Sequence, residues 1–225
     1  MRNQYNPSPL ANGDGKSRTT DRYFSNTEKQ INLTSCYSYS YQVLNDRILL
    51  YLQLKKMNSI EYFPIVTEDG TVTGKASREE CHSGTFLLHP VIHLHVFNTK
   101  GEIYLQKRAP DKDIQPGKWD TSVGGHVDYG EEIVNALQRE VREELGITDY
   151  TPIFLTVYKF VSDREAEMVH SYYTVYDGEI QPDPGEISEG KFWPIGDIES
   201  NLGKNVFTPN FETEFTNVVR SLKRE

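Results

Sequence analysis

The sequence predicts an α/β fold in which a mixed β-sheet is packed between helices. Two pairs of apolar, alternating segments, each pair joined by a short polar turn, indicate β-hairpins within residues 89–108 and 152–178. An amphipathic segment between the hairpins indicates a helix, and a second amphipathic segment lies near the end of the chain. Strands that flank two helices in this order predict a sheet covered by helices.

Composition and charge limit the classes of protein to which the chain can belong. The 225 residues carry a formal net charge of −9, which argues against nucleic-acid binding because such proteins usually display a basic patch. Two cysteines, Cys36 and Cys81, are too few for a disulfide framework or a four-ligand zinc site. The best candidate for a membrane span, ILLYLQL at 48–54, is far shorter than the ~20 residues required. We therefore expect a cytoplasmic protein that binds neither nucleic acid nor membrane.

The charge distribution predicts an N-terminal extension followed by one domain. Residues 1–56 hold eight Lys or Arg against four Asp or Glu, so their net charge is +4, whereas residues 57–225 carry −13. The first ~35 residues are rich in turn formers and lack periodicity, which indicates disorder. Residues 37–54 are more apolar and could form one helix. We expect the domain to begin at Met57, with the extension partly disordered or the result of a non-native start.

The predicted elements of the domain follow one another without an internal repeat. EYFPIV and TVTGKASREE indicate a strand, a turn and a strand. HPVIHLHVFN and IYLQKR form the first hairpin, and a Pro/Gly-rich loop leads to the central helix. PIFLTVYKFV and MVHSYYTVYDG form the second hairpin, and KFWPI is a last short strand. Apolar residues at helical spacing from Phe211 to Leu222 predict a C-terminal helix capped by Thr208 or Asn210.

The central helix is predicted for residues 131–145. An apolar stripe runs along it and indicates one buried face. Gly146 stands where a left-handed C-terminal cap belongs. Asp128 with Glu131 resembles a capping box at the other end.

Three glutamates at one edge of this helix predict a cation site. Glu140, Glu143 and Glu144 project from neighbouring positions, and like charges at helical spacing destabilise a helix. A divalent cation would reverse that repulsion, because carboxylate oxygens are ligands that Mg²⁺ prefers. Gly124 and Gly125 precede the helix by one loop, where backbone carbonyls could approach a metal. The alternative is a solvated acidic face that neighbouring arginines partly neutralise.

The same stretch resembles the Nudix box, whose pattern is Gly-x5-Glu-x7-Arg-Glu-U-x-Glu-Glu-x-Gly-U, where U is aliphatic. All nine fixed positions match within 23 residues; they are Gly125, Glu131, Arg139, Glu140, Val141, Glu143, Glu144, Gly146 and Ile147. The segments IYLQKR and PGKWDTSVGGHV approach the box as they do in many Nudix domains. The chain is therefore similar to the Nudix hydrolase family over about residues 57–225.

The resemblance implies an α/β/α sandwich with a mixed β-sheet and the hydrolysis of a nucleoside diphosphate linked to another group. By position, Glu140, Glu143 and Glu144 would bind Mg²⁺, or alternatively Mn²⁺, together with the backbone carbonyl of Gly125. Glu143 and Glu140 are the candidates for the catalytic base, whose identity varies within the family.

Four further residues receive roles by position. Glu131 and Arg139 would be structural and hold the box helix against its loop. Arg108, at the end of IYLQKR, could donate to a phosphate as a charged fork, and a surface arginine at a strand end is the alternative. His126 lies inside the box loop and could contact substrate. The implied partner is a small-molecule diphosphate, and the sequence leaves open whether the chain forms a homodimer.

Other chemically suggestive residues are expected to be structural. His93 and His95 share one strand face, which is more usual for a filled polar cavity than for a metal site. Cys81 and His82 lack the third member of a nucleophilic triad, and Trp119 is expected to plug a loop rather than stack on a base. The family often draws one more acidic ligand from beyond the box; the candidates are Asp163, Glu165, Glu167, Glu186 and Glu189.

Residues 68–98 also resemble relatives of isopentenyl-diphosphate isomerase, which share the Nudix fold. That enzyme needs a cysteine in a run of the kind Ser-Val-Cys-Gly-His, and here Gly124 stands in its place. The isomerase box is degenerate, whereas the box of this chain is intact. We therefore expect a hydrolase of the isomerase-like branch, with an isomerase and a non-catalytic ligand-binding Nudix module as the alternatives.

Overall fold

A computed structural model of the chain describes residues 60–112 and 114–222, together with Arg47. The chain divides into two units, residues 1–59 and 60–225. The elements given below belong to the second unit.

Two expectations concern the first unit. Of the helix predicted within residues 37–54, only Arg47 is described, and it is helical; the other residues of that segment lie outside the described residues. The domain boundary at Met57 stays a prediction. Within the part of the chain that the structure describes, no helix is long and apolar enough to cross a membrane.

A small antiparallel sheet opens the second unit. Its strands are β1, Tyr62–Val66, and β2, Val72–Ser77. Helix α1, Arg78–Cys81, follows directly because Ser77 caps it. The Ser77 hydroxyl accepts a hydrogen bond from the Glu80 backbone N–H, and the Glu80 carboxylate accepts one from the Ser77 backbone N–H. This reciprocal cap fixes the direction in which the chain leaves the small sheet.

The main sheet has seven strands within the described residues. They are β3, Leu88–Phe97, β4, Ile103–Arg108, β5, Trp119–Asp120, β6, Val123–His126, β7, Ile153–Val161, β8, Ala166–Val175, and β9, Ile187–Trp193. Five of them follow the order β5-β4-β3-β8-β7, while β6 pairs with β3 and β9 pairs with β4. The sheet is mixed, because β3 and β8 run parallel whereas the other paired strands are antiparallel.

Helices cover both faces of this sheet. They are α2, Ile133–Leu145, α3, Ile195–Asn201, and α4, Pro209–Asn217. Ile92 and Leu94 of β3 share a core with Leu137 of α2, whereas Phe97 of β3 shares a second core with Phe211 of α4. Alternate side chains of a strand point to opposite faces, so β3 separates the two cores. The predicted α/β/α sandwich with a mixed sheet is confirmed.

Helix α2 is the box helix, and it differs from the prediction at its start. It begins at Ile133 rather than at Glu131, and its N-cap residue, Glu132, makes no side-chain capping bond. The Glu131 carboxylate accepts a hydrogen bond from the Asp128 backbone N–H, which is one half of the predicted capping box. This contact lies in the loop before the helix, so the prediction that the pair caps the helix was wrong. At the other end, Gly146 adopts φ 69° as a left-handed cap, which confirms the expectation there.

The C-terminal helix is shorter than predicted. It ends at Asn217, and a 3₁₀ turn, Val219–Ser221, continues towards Leu222. Thr208 is the cap, because its hydroxyl accepts a hydrogen bond from the Phe211 backbone N–H. Sequence reasoning also missed the short helices α1 and α3 and the short strands β5 and β6.

Candidate functional site

Strand β6 separates two clusters of polar side chains, one on each side of its backbone. It pairs with β3, so that Gly124 lies opposite His93 and Gly125 opposite Ile92. A Cβ atom on Gly124 would point towards His93, whose Cδ2 and Nε2 would lie 3.6 and 3.7 Å away. A Cβ atom on Gly125 would point to the other side and lie closer than 3.0 Å to the Glu140 side chain. The two glycines therefore bring both clusters against the backbone of β6.

On the side of β6 that faces α2, Glu140 and Glu144 form a pair of carboxylates one turn apart on that helix. Glu144 is buried, and the Gln106 amide donates a hydrogen bond of 2.9 Å to its Oε2. The Gly124 backbone N–H donates to the same carboxyl group. Burial, followed by the charges of Glu140 and Glu186, raises the pKa of Glu144 well above its usual value. A cation beside this carboxyl group would relieve that unfavourable environment.

Arg139 ties the box helix to its loop. Its Nε and Nη2 donate to the two oxygens of Glu131 at 3.0 and 2.8 Å, and Nη2 also donates to the His126 carbonyl at 3.0 Å. Its Nη1 donates to Glu140 at 2.6 Å and lies 3.9 Å from Glu143. The contact with Arg139 lowers the pKa of Glu131. These contacts join the box helix to its loop, and the structural role of Glu131 and Arg139 stays a prediction.

The box carboxylates fit a divalent cation. Mg²⁺ takes oxygen ligands, and the buried Glu144 beside Glu140 supplies two carboxylates. Glu143 is 39% exposed at the edge of the pair, so it differs in environment from Glu144. Its roles as ligand or catalytic base stay predictions, as does metal binding by the Gly125 carbonyl.

A cavity of about 360 Å³ lies along β6. Its charged lining residues are Arg78, Arg108, Arg164, Asp120, Asp163, Glu165 and Glu167. Gly124 and Gly125 also line it, but Glu140, Glu143 and Glu144 are not among the described residues that do. The residues predicted to form one site are thus distributed over two neighbouring clusters with the glycines between them.

Arg108 lines this cavity and is not the surface arginine that was its alternative. Its side chain is 24% exposed. Its Nε donates to the Ile114 carbonyl at 2.9 Å, and its Nη1 donates to Asp120 at 3.2 Å. These bonds fix the guanidinium at the cavity wall, and its contact with phosphate stays a prediction.

Three histidines form a cluster beside the cavity, and two of them, His82 and His126, line it. His82 follows α1, His89 lies in β3, and His126 ends β6. One ring nitrogen of each lies within 4.8 Å of the others, and the Nε2 atoms of His82 and His126 are 3.0 Å apart. Phe63 of β1 stacks on His126 with 4.2 Å between ring centroids. The small sheet therefore supports the histidine cluster.

Two carboxylates adjoin the histidines. The parallel register of β3 and β8 places Glu167 beside His89, and Glu165 lies just before β8. One nitrogen of His89 and one oxygen of each glutamate lie within 4.8 Å of one another. His82 Nε2 is 3.2 Å from Glu165 Oε2, and the Asn210 amide donates to Glu167 at 2.8 Å. The five side chains form one mixed cluster of nitrogen and oxygen donors.

The protonation of the histidines fits a metal ligand set. His89 Nδ1 lies 2.9 Å from the Leu87 carbonyl, so this nitrogen carries the proton and Nε2 carries the lone pair. His89 Nε2 is buried and has no hydrogen-bond partner among the described residues. Burial lowers the pKa of His89, and burial with the charge of Arg78 lowers that of His126 well below its usual value. Neutral imidazoles beside carboxylates suit a transition-metal ion better than they suit Mg²⁺.

Sequence reasoning found only part of this cluster. It singled out His126, rejected His82 together with Cys81, and placed Glu165 and Glu167 among five acidic candidates. One signal was available, because His89 has the same odd parity as His93 and His95 and so shares their face of β3.

The other predicted residues have simpler surroundings. Cys81 is fully buried and its pKa is raised to about 11, mainly by burial, so its thiol is not an activated nucleophile. Trp119 packs on Trp193 in the second core, as expected of a plug. Of the remaining acidic candidates, Asp163 lines the cavity and Glu186 raises the pKa of Glu144. Glu189 lies at the surface, 3.7 Å from Lys107.

Known proteins resemble the chain over this region. Residues 87–211, more than half of the chain, match the family model of the NUDIX domain. An isopentenyl-diphosphate Delta-isomerase of Photorhabdus laumondii is 29% identical over 170 residues, which cover 72% of this chain and 97% of that protein. An uncharacterized Nudix hydrolase of Listeria monocytogenes is 30% identical over 167 residues, which cover 73% of this chain and 96% of that protein.

Solved structures share the fold. A crystal structure of a Deinococcus radiodurans protein superposes with a TM-score of 0.61 at 23% identity, covering 73% of this chain and all of that one. A MutT protein of Methanosarcina mazei gives a TM-score of 0.52 at 24% identity, covering 61% of this chain and 96% of that one. The domain match, the relatives and the intact box agree, and the chain belongs to the Nudix family.

Proposed function

We propose that the protein hydrolyses a diphosphate linkage in a nucleoside diphosphate joined to another group, with Mg²⁺ as its divalent cation. The observation that supports this most directly is that the carboxylate pair of Glu140 and Glu144 lies beside the two glycines of β6, Gly124 and Gly125. The raised pKa of the buried Glu144 indicates that its ionised form is unfavourable there, and a bound cation would stabilise that form. Glu140 and Glu144 would hold the cation, which when bound would supply neutralisation of phosphate charge and activation of water.

The cavity residues supply complementary chemistry. The guanidinium groups of Arg78, Arg108 and Arg164 line the cavity and can donate charge-assisted hydrogen bonds to phosphate oxygens. Gln106 fixes the orientation of the Glu144 carboxyl group through its amide. Glu143 and Glu140 remain the candidates for the base that accepts the proton of water.

Isomerisation of a prenyl diphosphate is the second candidate. The near-complete coverage of the Photorhabdus isomerase favours it. The isomerase motif, however, requires a thiol at the position of Gly124, which has no side chain to carry a proton. Hydrolysis needs a water molecule rather than a thiol and is compatible with glycine there. A Nudix module that binds ligand without turnover is the third candidate, and product formation distinguishes it from both enzymes.

A substrate panel tests the three candidates together. The full chain is incubated with Mg²⁺ and nucleoside-diphosphate compounds, and released monophosphate is measured after phosphatase coupling. A parallel incubation with isopentenyl diphosphate is followed by proton NMR, which detects movement of the double bond. We expect turnover of at least one nucleoside compound and a loss of ~10²-fold or more in Glu144→Gln, because an electrostatic group at the reaction centre is removed. Isomerisation of isopentenyl diphosphate would reverse the ranking. Binding without product would identify a binding module.

A further inference from the structure

Glu214 of α4 is a buried carboxylate held between two histidines of β3. It is 1% exposed. Its Oε2 lies 2.7 Å from His93 Nδ1, and its Oε1 lies 3.1 Å from His95 Nε2. Burial opposes its ionisation, but the charges of His95 and His93 and the hydrogen bond of His93 lower the pKa of Glu214 well below its usual value. The three side chains therefore form a buried network beneath the cavity residues.

The two histidines differ in what their remaining ring edge faces. His95 is fully buried, and its Nδ1 lies 3.2 Å from Thr121 Oγ1. His93 lines the cavity, with its Cδ2 and Nε2 edge against Gly124. Any side chain at position 124 would place its Cβ within 3.7 Å of this edge. The glycine that replaces the isomerase cysteine therefore uncovers the imidazole.

We propose that His93 contacts the substrate, donating a hydrogen bond from Nε2 to an oxygen of a phosphate-bearing ligand, and that Glu214 is the positioning residue that fixes its ring through Nδ1. The inference rests on the proposed function only for the class of ligand. An imidazole bonded to a carboxylate through one nitrogen directs its other nitrogen away from that carboxylate, here towards the cavity. When the ring carries a proton on both nitrogens, the group presented beside Gly124 is an imidazolium N–H rather than a thiol.

The charge of His93 suits this role. Burial opposes protonation of the ring, but Glu214 outweighs burial and raises the pKa of His93 to about 9, with smaller contributions from Glu167 and Asp120. The carboxylates of Glu167 and Asp120 already accept hydrogen bonds from Asn210 and Thr208. A charged N–H at the cavity wall therefore complements an anionic ligand.

Two matched variants separate the cavity-side N–H from the buried network. His93→Asn places an amide N–H near the position of Nδ1, so it keeps a donor for Glu214 and removes the donor to the cavity. His95→Gln places an amide N–H near the position of Nε2, so it also keeps a donor for Glu214 but changes nothing at the cavity. Each variant removes one imidazole, and only the first removes the proposed contact.

Inorganic pyrophosphate is the probe, and its binding to the full chain with Mg²⁺ is measured by calorimetry. We expect His93→Asn to weaken binding about tenfold to a hundredfold, the range for a hydrogen bond to a charged group, and His95→Gln to bind like the wild type. Equal affinities of the two variants, or a wild type that does not bind pyrophosphate, would overturn the inference. A wild type without turnover but with this difference in binding would count against the proposed function alone.

A second measurement covers the case in which His93→Asn does not fold. The imidazole nitrogens of the wild type are labelled with ¹⁵N and their NMR shifts are followed during pyrophosphate addition. The Nε2 signal of His93 should move at saturation, and the signals of His95 should stay in place. An unmoved His93 signal would refute the contact.

Discussion

Gly125→Ala tests whether the absence of a side chain at position 125 sets the position of the Glu140 carboxylate. The added Cβ would lie closer than 3.0 Å to Cγ, Cδ and Oε1 of Glu140, so that side chain must move. Glu140 is also held by Arg139 at 2.6 Å, and moving it breaks this charge-assisted bond. Overpacking typically costs about 1–3 kcal/mol, and the lower part of this range applies because the obstacle is a side chain. We expect the free energy of unfolding to fall by about 1–2 kcal/mol.

The corresponding change in melting temperature is about 2–8 °C, from the entropy of unfolding of a domain of this size. The displaced carboxylate should also lower kcat by ~10²-fold or more, as expected for loss of an electrostatic group. Gly74→Ala is the matched control, since Gly74 lies in strand β2 and its Cβ would meet no atom within 4 Å. Thermal unfolding and turnover are measured on both variants. A Gly125→Ala protein with the melting temperature and kcat of the control would show that this close approach does not position Glu140.

Three further predictions follow from the site and the chain boundary. In metal-free buffer, the raised pKa of Glu144 means that folding takes up a proton, so the free energy of unfolding should fall as pH rises from about 4.5. Urea titrations should show that this fall is smaller in Glu144→Gln. Addition of Mg²⁺ should raise the melting temperature of the wild type more than that of the variant. An equal rise in melting temperature in the two proteins would contradict the cation site. Arg139→Gln should lower the free energy of unfolding by about 2–4 kcal/mol, because Glu131 and Glu140 lose their half-buried partner. The loss is measured by urea denaturation. A loss below about 0.5 kcal/mol would show that Arg139 behaves as an ordinary surface residue. A chain beginning at Met57 should keep full kcat and its far-UV circular dichroism per residue, whereas an insoluble product would show that residues before it are needed for folding.

Local sequence patterns were sufficient for the elements whose contacts are local. The apolar stripe and Gly146 predicted the box helix to within two residues at its start, since one buried face and one left-handed cap define such a helix. The alternation in residues 89–98 predicted β3. The Glu131 contact with Asp128 shows the limit of this reasoning, because the same two residues can bond in a loop as well as in a helix cap.

The cavity could not be predicted because its members meet only through long-range pairing. His126 reaches the cavity because β6 folds back along β3, and Glu167 joins it through the parallel register of β8 with β3. No periodicity in the sequence reports these pairings. Glu214 is a further case, since on a helical pattern it is one polar residue among several, and only the packing of α4 on β3 brings it to His93.

The parallel pairing of β3 with β8 also has a consequence for the order of folding. The two strands are separated in sequence by β4, β5, β6, the box helix and β7, so joining them closes a long loop and is slow compared with forming the local elements. A chain that has formed the box helix and its loop, but not this pairing, would present Glu140 and Glu144 without the histidine and glutamate cluster. A ligand that needs the cluster therefore stabilises only the completed structure. We expect such a ligand to slow unfolding while leaving the rate of refolding nearly unchanged.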